Sequence, residues 1–230
     1  MIELSFLGNT MWQLLTGVPL TVELTVISVS VGGALAVILS VLRASFAPFA
    51  WFVRFYVFAF RGTPLLLQMF LIYYGLGQFD AVQRSLLWPF LRQPYWCAIL
   101  ALSLNTAAYG SEIIRGGLQS VPPGSIESAR VCGMSGLLLY RRVILPLALR
   151  QALPAYGSEV IAMVKSTSLA SIVTLMEISG IAYAIISETY RALEVFLCAG
   201  LIYLVINFVL TRAVAGLEIW LSPHLRPATS

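Results

Sequence analysis

Five runs of predominantly apolar residues, each near the length of about 20 needed to cross a bilayer as a helix, constrain this chain most. They lie at roughly 19–42, 62–79, 95–114, 147–168 and 196–215. Charged residues make up only 10% of the 230 positions and hydrophobic ones 59%, whereas soluble domains carry about 25% charged residues. The reading is an all-α integral membrane protein with five transmembrane helices, forming a single domain over 1–230. A sixth apolar stretch, 169–187, is interrupted by Ser171, Thr174, Glu177, Ser179 and Gly180. It reads as a periplasmic cap or re-entrant helix.

Arginine placement predicts the orientation. With the N-terminus outside, the inner segments hold Arg43, Arg54, Arg61, Arg115, Arg130, Arg141, Arg142, Arg150, Arg212 and Arg226, and the outer ones only Arg84, Arg92 and Arg191. That asymmetry is the positive-inside pattern. The net charge of +4 therefore reports topology, and nothing supports a nucleic-acid partner. Residues 1–18 contain no Lys or Arg, unlike the basic start of a cleaved signal peptide, so the first span is expected to act as the insertion signal. Cys97, Cys132 and Cys198 are isolated and odd in number, and read as buried thiols rather than a disulfide or metal set. The lone His224 falls in the C-terminal tail, predicted to be cytoplasmic.

Polar groups inside the spans are the candidates for chemistry, because burying them in hydrocarbon costs roughly 2–3 kcal/mol for a central acid. Asn105, Tyr109 and Glu112 recur at i, i+4 and i+7 and share one helical face. Glu112 has Arg115 three residues on, which predicts a local ion pair. The fourth span gathers Glu159, Lys165, Ser166, Thr167 and Ser168, and Lys165 can serve transport or snorkel outward. Glu23 near the outer end of the first span can reach headgroup water or face the pathway. The predicted substrate pathway is Asn105, Tyr109, Glu159, Lys165 and Ser166.

Between the spans, 46–60 is aromatic-rich with Arg54 as its one charge, which predicts an interfacial elbow helix. Pro64 suits the first turn of the next helix, with Thr63 as its cap. Residues 116–146 form the main polar insertion. Pro122 to Ser125 reads as a turn releasing a short helix with Ser125 as N-cap. Gly133-Met134-Ser135-Gly136 breaks that helix, and Leu137 to Ile144 reads as a second short one. Two short helices at a glycine hinge make a knuckle that can project from the membrane.

That knuckle carries a resemblance. Glu127, Ser128, Ala129, Gly133, Leu145 and Pro146 fall on the coupling-loop pattern of ABC importer membrane subunits: E-A-A, three residues, Gly, nine residues, Ile, one residue, Leu-Pro. Ser128 and Val143 replace the second Ala-type position and the Ile. Further matches are Phe60-Arg61-Gly62-Thr63-Pro64, Asn105 to Tyr109 with Glu112, Ser120 to Pro122, Ala148 to Arg150, Ala152 to Tyr156, Ser158 to Ile161 and Ser166 to Ala170. Over 55–175 the chain resembles permease subunits of polar-amino-acid ABC importers, those serving histidine, lysine, arginine, ornithine and opines. The resemblance implies an ATPase dimer docked on the knuckle, Met134, Ser135 and Gly136 included. It also implies a second homologous permease, a periplasmic amino-acid-binding protein, surrounding membrane lipid, and a bacterial inner-membrane location. No G-x-x-x-x-G-K-[ST] occurs, so the phosphate-binding loop, with its ATP and Mg, is expected in the partner ATPase and this chain is expected to hold no cofactor. The alternative is a proton- or ion-coupled secondary amino-acid transporter relaying through Glu159 or Glu112. Such proteins usually show repeats over more spans.

Overall fold

The computed structural model describes residues 3–45 and 47–221; His224, Arg226 and Phe46 lie outside that range. Every regular element among the described residues is helical. The chain opens with α1 (Leu4–Leu15) and α2 (Val18–Ser45), followed by α3 (Ala47–Gly62) and α4 (Leu65–Phe70). Short helices α5 (Asp80–Gln83) and α6 (Trp88–Leu91) lead into α7 (Pro94–Gln119). Then come α8 (Pro123–Val131), α9 (Gly136–Leu139), α10 (Leu145–Ser166), α11 (Ile178–Thr189) and α12 (Ala192–Leu221).

Three helical stretches, Leu4–Ala44, Pro94–Gln119 and Ala192–Ile219, are long and apolar enough to cross a membrane. Two bent pairs raise that number to five if each is one span. The stretch expected as the second span is one of them. Only 65–78 is helical beyond the break, about 21 Å at 1.5 Å per residue, short of a ~30 Å hydrocarbon core. The aromatic-rich α3 precedes it across a 106° bend. Rather than lying free at the interface, α3 buries Val53 and Val57 and donates Tyr56 Oη to the carbonyl of Leu104, deep in α7 (2.5 Å). Trp51, Phe52, Phe55 and Phe58 stay exposed, an apolar face suited to lipid.

The centre of the bundle is α7, of whose most apolar window 67% is buried, against 28% and 22% for the other two long stretches. Small residues explain the position: Ala101, Ala107, Ala108, Gly110 and Ser111 are all buried in α7. Helices in lipid associate through close packing, not through a hydrophobic drive. The closest approach is to α2, where a Cβ on Gly32 would stand 2.6 Å from Thr106 Cβ and 2.7 Å from the Ser103 carbonyl. Gly32→Ala is therefore expected to push the two helices apart and cost roughly 1–3 kcal/mol, the usual penalty of overpacking. Gly116→Ala in α7 meets open space and is expected to leave the thermal midpoint in detergent unchanged or slightly higher. Equal midpoints for the two variants would contradict this packing.

Charged groups tie the same two helices at one end. Glu112 pairs with Arg115 as the spacing predicts (2.6 Å) and also with Arg43 of α2 (2.5 Å). Toward the other end, Tyr95 donates to Glu23 (2.5 Å), so Glu23 has a protein partner.

The apolar stretch after α10 is broken, as its polar residues suggest. A 3-10 segment, Thr167–Val173, ends at left-handed Thr174 (φ 68°), and α11 starts after a bend of 48°. Glu177 caps α11, accepting from the Gly180 N–H (2.9 Å) and from Tyr203 Oη of α12 (2.7 Å). It is fully buried, which one side-chain and one backbone donor make tolerable.

Three local expectations need correction. Thr63 does not cap α4: its hydroxyl donates back to Ala59 (2.7 Å), while Pro64, extended at ψ 135°, occupies the N-cap position. Ser125 is not the cap of α8, which starts at Pro123 with Pro122 as N-cap, since proline has a preset φ and no N–H to satisfy. Cys97 and Cys198 are buried, but the loop thiol Cys132 is exposed.

Candidate functional site

The knuckle is built by backbone geometry. At the end of α8 the Gly133 N–H donates to Arg130 (2.9 Å) and the Met134 N–H to Ala129 (3.0 Å). This pair of bonds is a Schellman closure, which needs a left-handed residue, and Gly133 has φ +80°. Gly136 is also left-handed (φ +52°). Ala129 is buried while Glu127 and Ser128 face outward. The second expected short helix is not separate. From Gly136 the chain runs through α9, a π turn at Tyr140–Ile144 and α10 as one helical rod. Pro146 explains the π turn: it cannot donate to the carbonyl four residues back, and its ring crowds that carbonyl. Around the Schellman turn, Val131 and Leu137 are 90% and 80% exposed. Leu138, Tyr140 and Leu145 are exposed beside them. A cluster of exposed large apolar side chains marks an interaction surface.

The polar residues of the spans converge elsewhere. A cavity of ~510 Å3 is lined by Asn105 and Tyr109 from α7, Glu159, Ala162, Met163 and Ser166 from α10, and Arg61 to Leu65 at the break between α3 and α4. Four of the five residues predicted for the pathway thus share one cavity. Lys165 does not; it is exposed on another face of α10. The volume is within the roughly 300–1,000 Å3 typical of small-ligand sites.

Its electrostatics are two-signed. The Glu159 carboxylate is half-buried and has no ion-pair partner within 4.0 Å among the described residues. Arg61 attracts it across the cavity and lies with its guanidinium 5.0 Å from the Tyr109 ring centroid, a cation–π arrangement. Arg61 was missed as a pathway residue: the sequence places it among the inside charges and in the Phe60-to-Pro64 match, and neither tells that it faces a cavity.

Gln68 was missed as well. Buried in α4, its Nε2 donates to the Phe60 carbonyl (2.7 Å), the Thr63 carbonyl (3.1 Å) and Thr63 Oγ1 (2.9 Å). Its Oε1 accepts from Asn105 Nδ2 (3.1 Å). The side chain satisfies carbonyls freed by the helix break and pins that break to α7. Backbone broken at membrane depth requires such partners. Pro64 after Gly62 was the available signal of a break, and a glutamine one turn on was the signal of its bracket.

Residues 30–222 match the family of binding-protein-dependent transport system inner membrane components. The chain belongs to that family. It is 59% identical to the octopine transport system permease protein OccM of Rhizobium meliloti over 222 residues, 96% of this chain and 91% of the relative. It is 53% identical to the nopaline permease protein NocM of Agrobacterium fabrum, covering 93% and 90%. The histidine/lysine/arginine/ornithine permease protein HisM of Salmonella typhimurium is 46% identical, covering 85% and 84%. Among solved structures, an amino acid ABC transporter crystallised with histidines aligns with TM-score 0.84 at 30% identity, over 95% of this chain and 98% of that one. The MetNI methionine transporter shares the fold at TM-score 0.73 and 20% identity, over 96% and 99%. As an inner-membrane permease of this family, the chain forms membrane helices, and the knuckle and the two-signed cavity are its most distinctive features.

Proposed function

We infer that this chain is a translocation subunit of an ATP-driven importer of cationic amino acids or opines. The observation that carries the reading is the cavity joining Glu159, Tyr109 and Arg61 on three elements. A guanidinium or ammonium side chain would pair with Glu159 and stack on Tyr109. Arg61 would receive a carboxylate, and bidentate guanidinium–carboxylate contacts add geometric selectivity. Octopine, nopaline and basic amino acids, named for the relatives, all carry both signs of charge. Asn105 and Ser166 offer neutral hydrogen-bonding groups.

The wider arrangement follows the family pattern. Five spans with the N-terminus outside match the arginine distribution and the two bent pairs. A partner ATPase dimer, holding ATP and Mg, would dock on the knuckle over residues 127–146. A second homologous permease would complete the pathway, and a periplasmic binding protein would deliver the ligand. The rod starting at Gly136 reaches Glu159 after 23 residues, about 35 Å at 1.5 Å per residue. A push at the knuckle would therefore displace one wall of the cavity directly. Coupling requires different contacts in two such states.

The test is uptake of labelled arginine and octopine into proteoliposomes holding the assembled transporter and its binding protein. Uptake is expected to require internal or external ATP at the ATPase face and to be insensitive to collapse of the proton gradient. Uptake driven by the gradient without ATP would assign the chain to secondary transport instead.

A further inference from the structure

We propose that the ends of α2 and α7 beside the knuckle form a binding site for an anionic phospholipid headgroup. A second cavity, ~290 Å3, lies between these ends, lined by Arg43 and Arg115 among others. Both guanidiniums pair with the one carboxylate of Glu112, which does not itself line the cavity. Two cations on one anion leave one positive charge uncompensated, on the cavity side. Arg43 and Arg115 retain 25% and 39% side-chain exposure, so their remaining donors can reach a ligand.

The rest of the wall decides the ligand class. Its surface is mostly apolar: beside Ala44, Leu118 and the arginine stems stand Ser40 and Ser111, whose hydroxyls are spent on the Ala36 and Ala108 carbonyls of their own helices. A free phosphate would need polar partners all round, whereas an amphiphile matches an apolar wall with a cationic edge. The position agrees: both helices turn from apolar to charged sequence there, at Arg43 and at Arg115, which is where headgroups meet spans. Basic pockets between membrane helices are known to suit such headgroups. Gln119 lines the same cavity and accepts from Arg115 (2.5 Å). Two residues later the chain enters the segment leading to α8. A lipid held here would brace the end of α7 from which the knuckle hangs.

The experiment uses the assembled transporter in nanodiscs of equimolar phosphatidylglycerol and phosphatidylcholine, with the lipid retained after extraction counted by mass spectrometry. Phosphatidylglycerol is expected to be enriched about fivefold, the factor for the ~1 kcal/mol of one net basic charge near the membrane surface. Leu118→Trp fills the cavity and leaves the three charged side chains in place. Gln119→Glu supplies the missing negative charge to Arg115. Each is expected to return retention to the bulk lipid ratio. Unchanged enrichment in Gln119→Glu, or no enrichment in the parent, would overturn the proposal. Displacement of the lipid by excess inorganic phosphate would show that the site takes the free anion and would overturn the lipid assignment.

Discussion

Glu159→Gln is expected to lower uptake of arginine or octopine about ten- to hundredfold, the factor for losing one charged hydrogen-bond pair of roughly 1.5–3 kcal/mol. The substitution keeps the shape and removes only the charge. Because Glu159 has no salt bridge to lose among the described residues, α10 should keep its packing. The complex should assemble, and its basal ATPase rate should persist. Arg61→Gln gives the complementary result: weaker uptake of ligands with a free carboxylate, with less effect on an esterified analogue. Equal losses for free and esterified ligands would remove Arg61 from carboxylate recognition. An assembled Glu159→Gln transporter with parental uptake would make that carboxylate structural.

Substitutions at Gly133 are expected to separate coupling from folding. A Cβ there meets open space, yet the backbone is left-handed, so alanine costs only the strain of that conformation, roughly 1–2 kcal/mol. Asparagine tolerates the same conformation better, and Gly133→Asn should transport near the parental rate. Gly133→Asp has similar shape and adds a charge among exposed Val131 and Leu137. It should cut ATP-driven uptake more than tenfold while the membrane part stays folded, because an unpaired charge in an apolar interface costs several kcal/mol. Asn and Asp variants with the same activity would mean that the knuckle does not dock through this surface.

Much of this architecture is legible in the sequence because single residue types impose it. Gly133 and Pro146 occur where a left-handed closure and a proline-induced π turn occur, and the E-A-A-type pattern places a buried Ala129 one turn before the closure. The polar face of α7 was readable from i, i+4 spacing, and Glu159 and Ser166 from the cost of polarity in a span. The break at Gly62 to Pro64 was readable as a break but not as a cavity wall, since nothing local tells which way a chain turns after a 106° bend. That direction depends on Gln68 and Asn105 meeting across 37 residues of sequence. Arg61 was hidden for the same reason. The separate second knuckle helix was overread at its far end: the glycines do end α8, but Pro146 does not part the next helix from α10. Here the helix starts at Gly136 and absorbs Pro146 through a local widening.

The central claim, that the cavity between α7, α10 and the α3–α4 break holds the transported ligand, is tested most directly by substrate protection of a single cysteine. Ala162 lines the cavity, so Ala162→Cys places a thiol in its wall, and Cys132→Ser removes the exposed native thiol. Labelling of the assembled transporter with a polar maleimide should slow severalfold in saturating arginine or octopine, and not in methionine. A labelling rate unchanged by either cationic ligand would contradict the account.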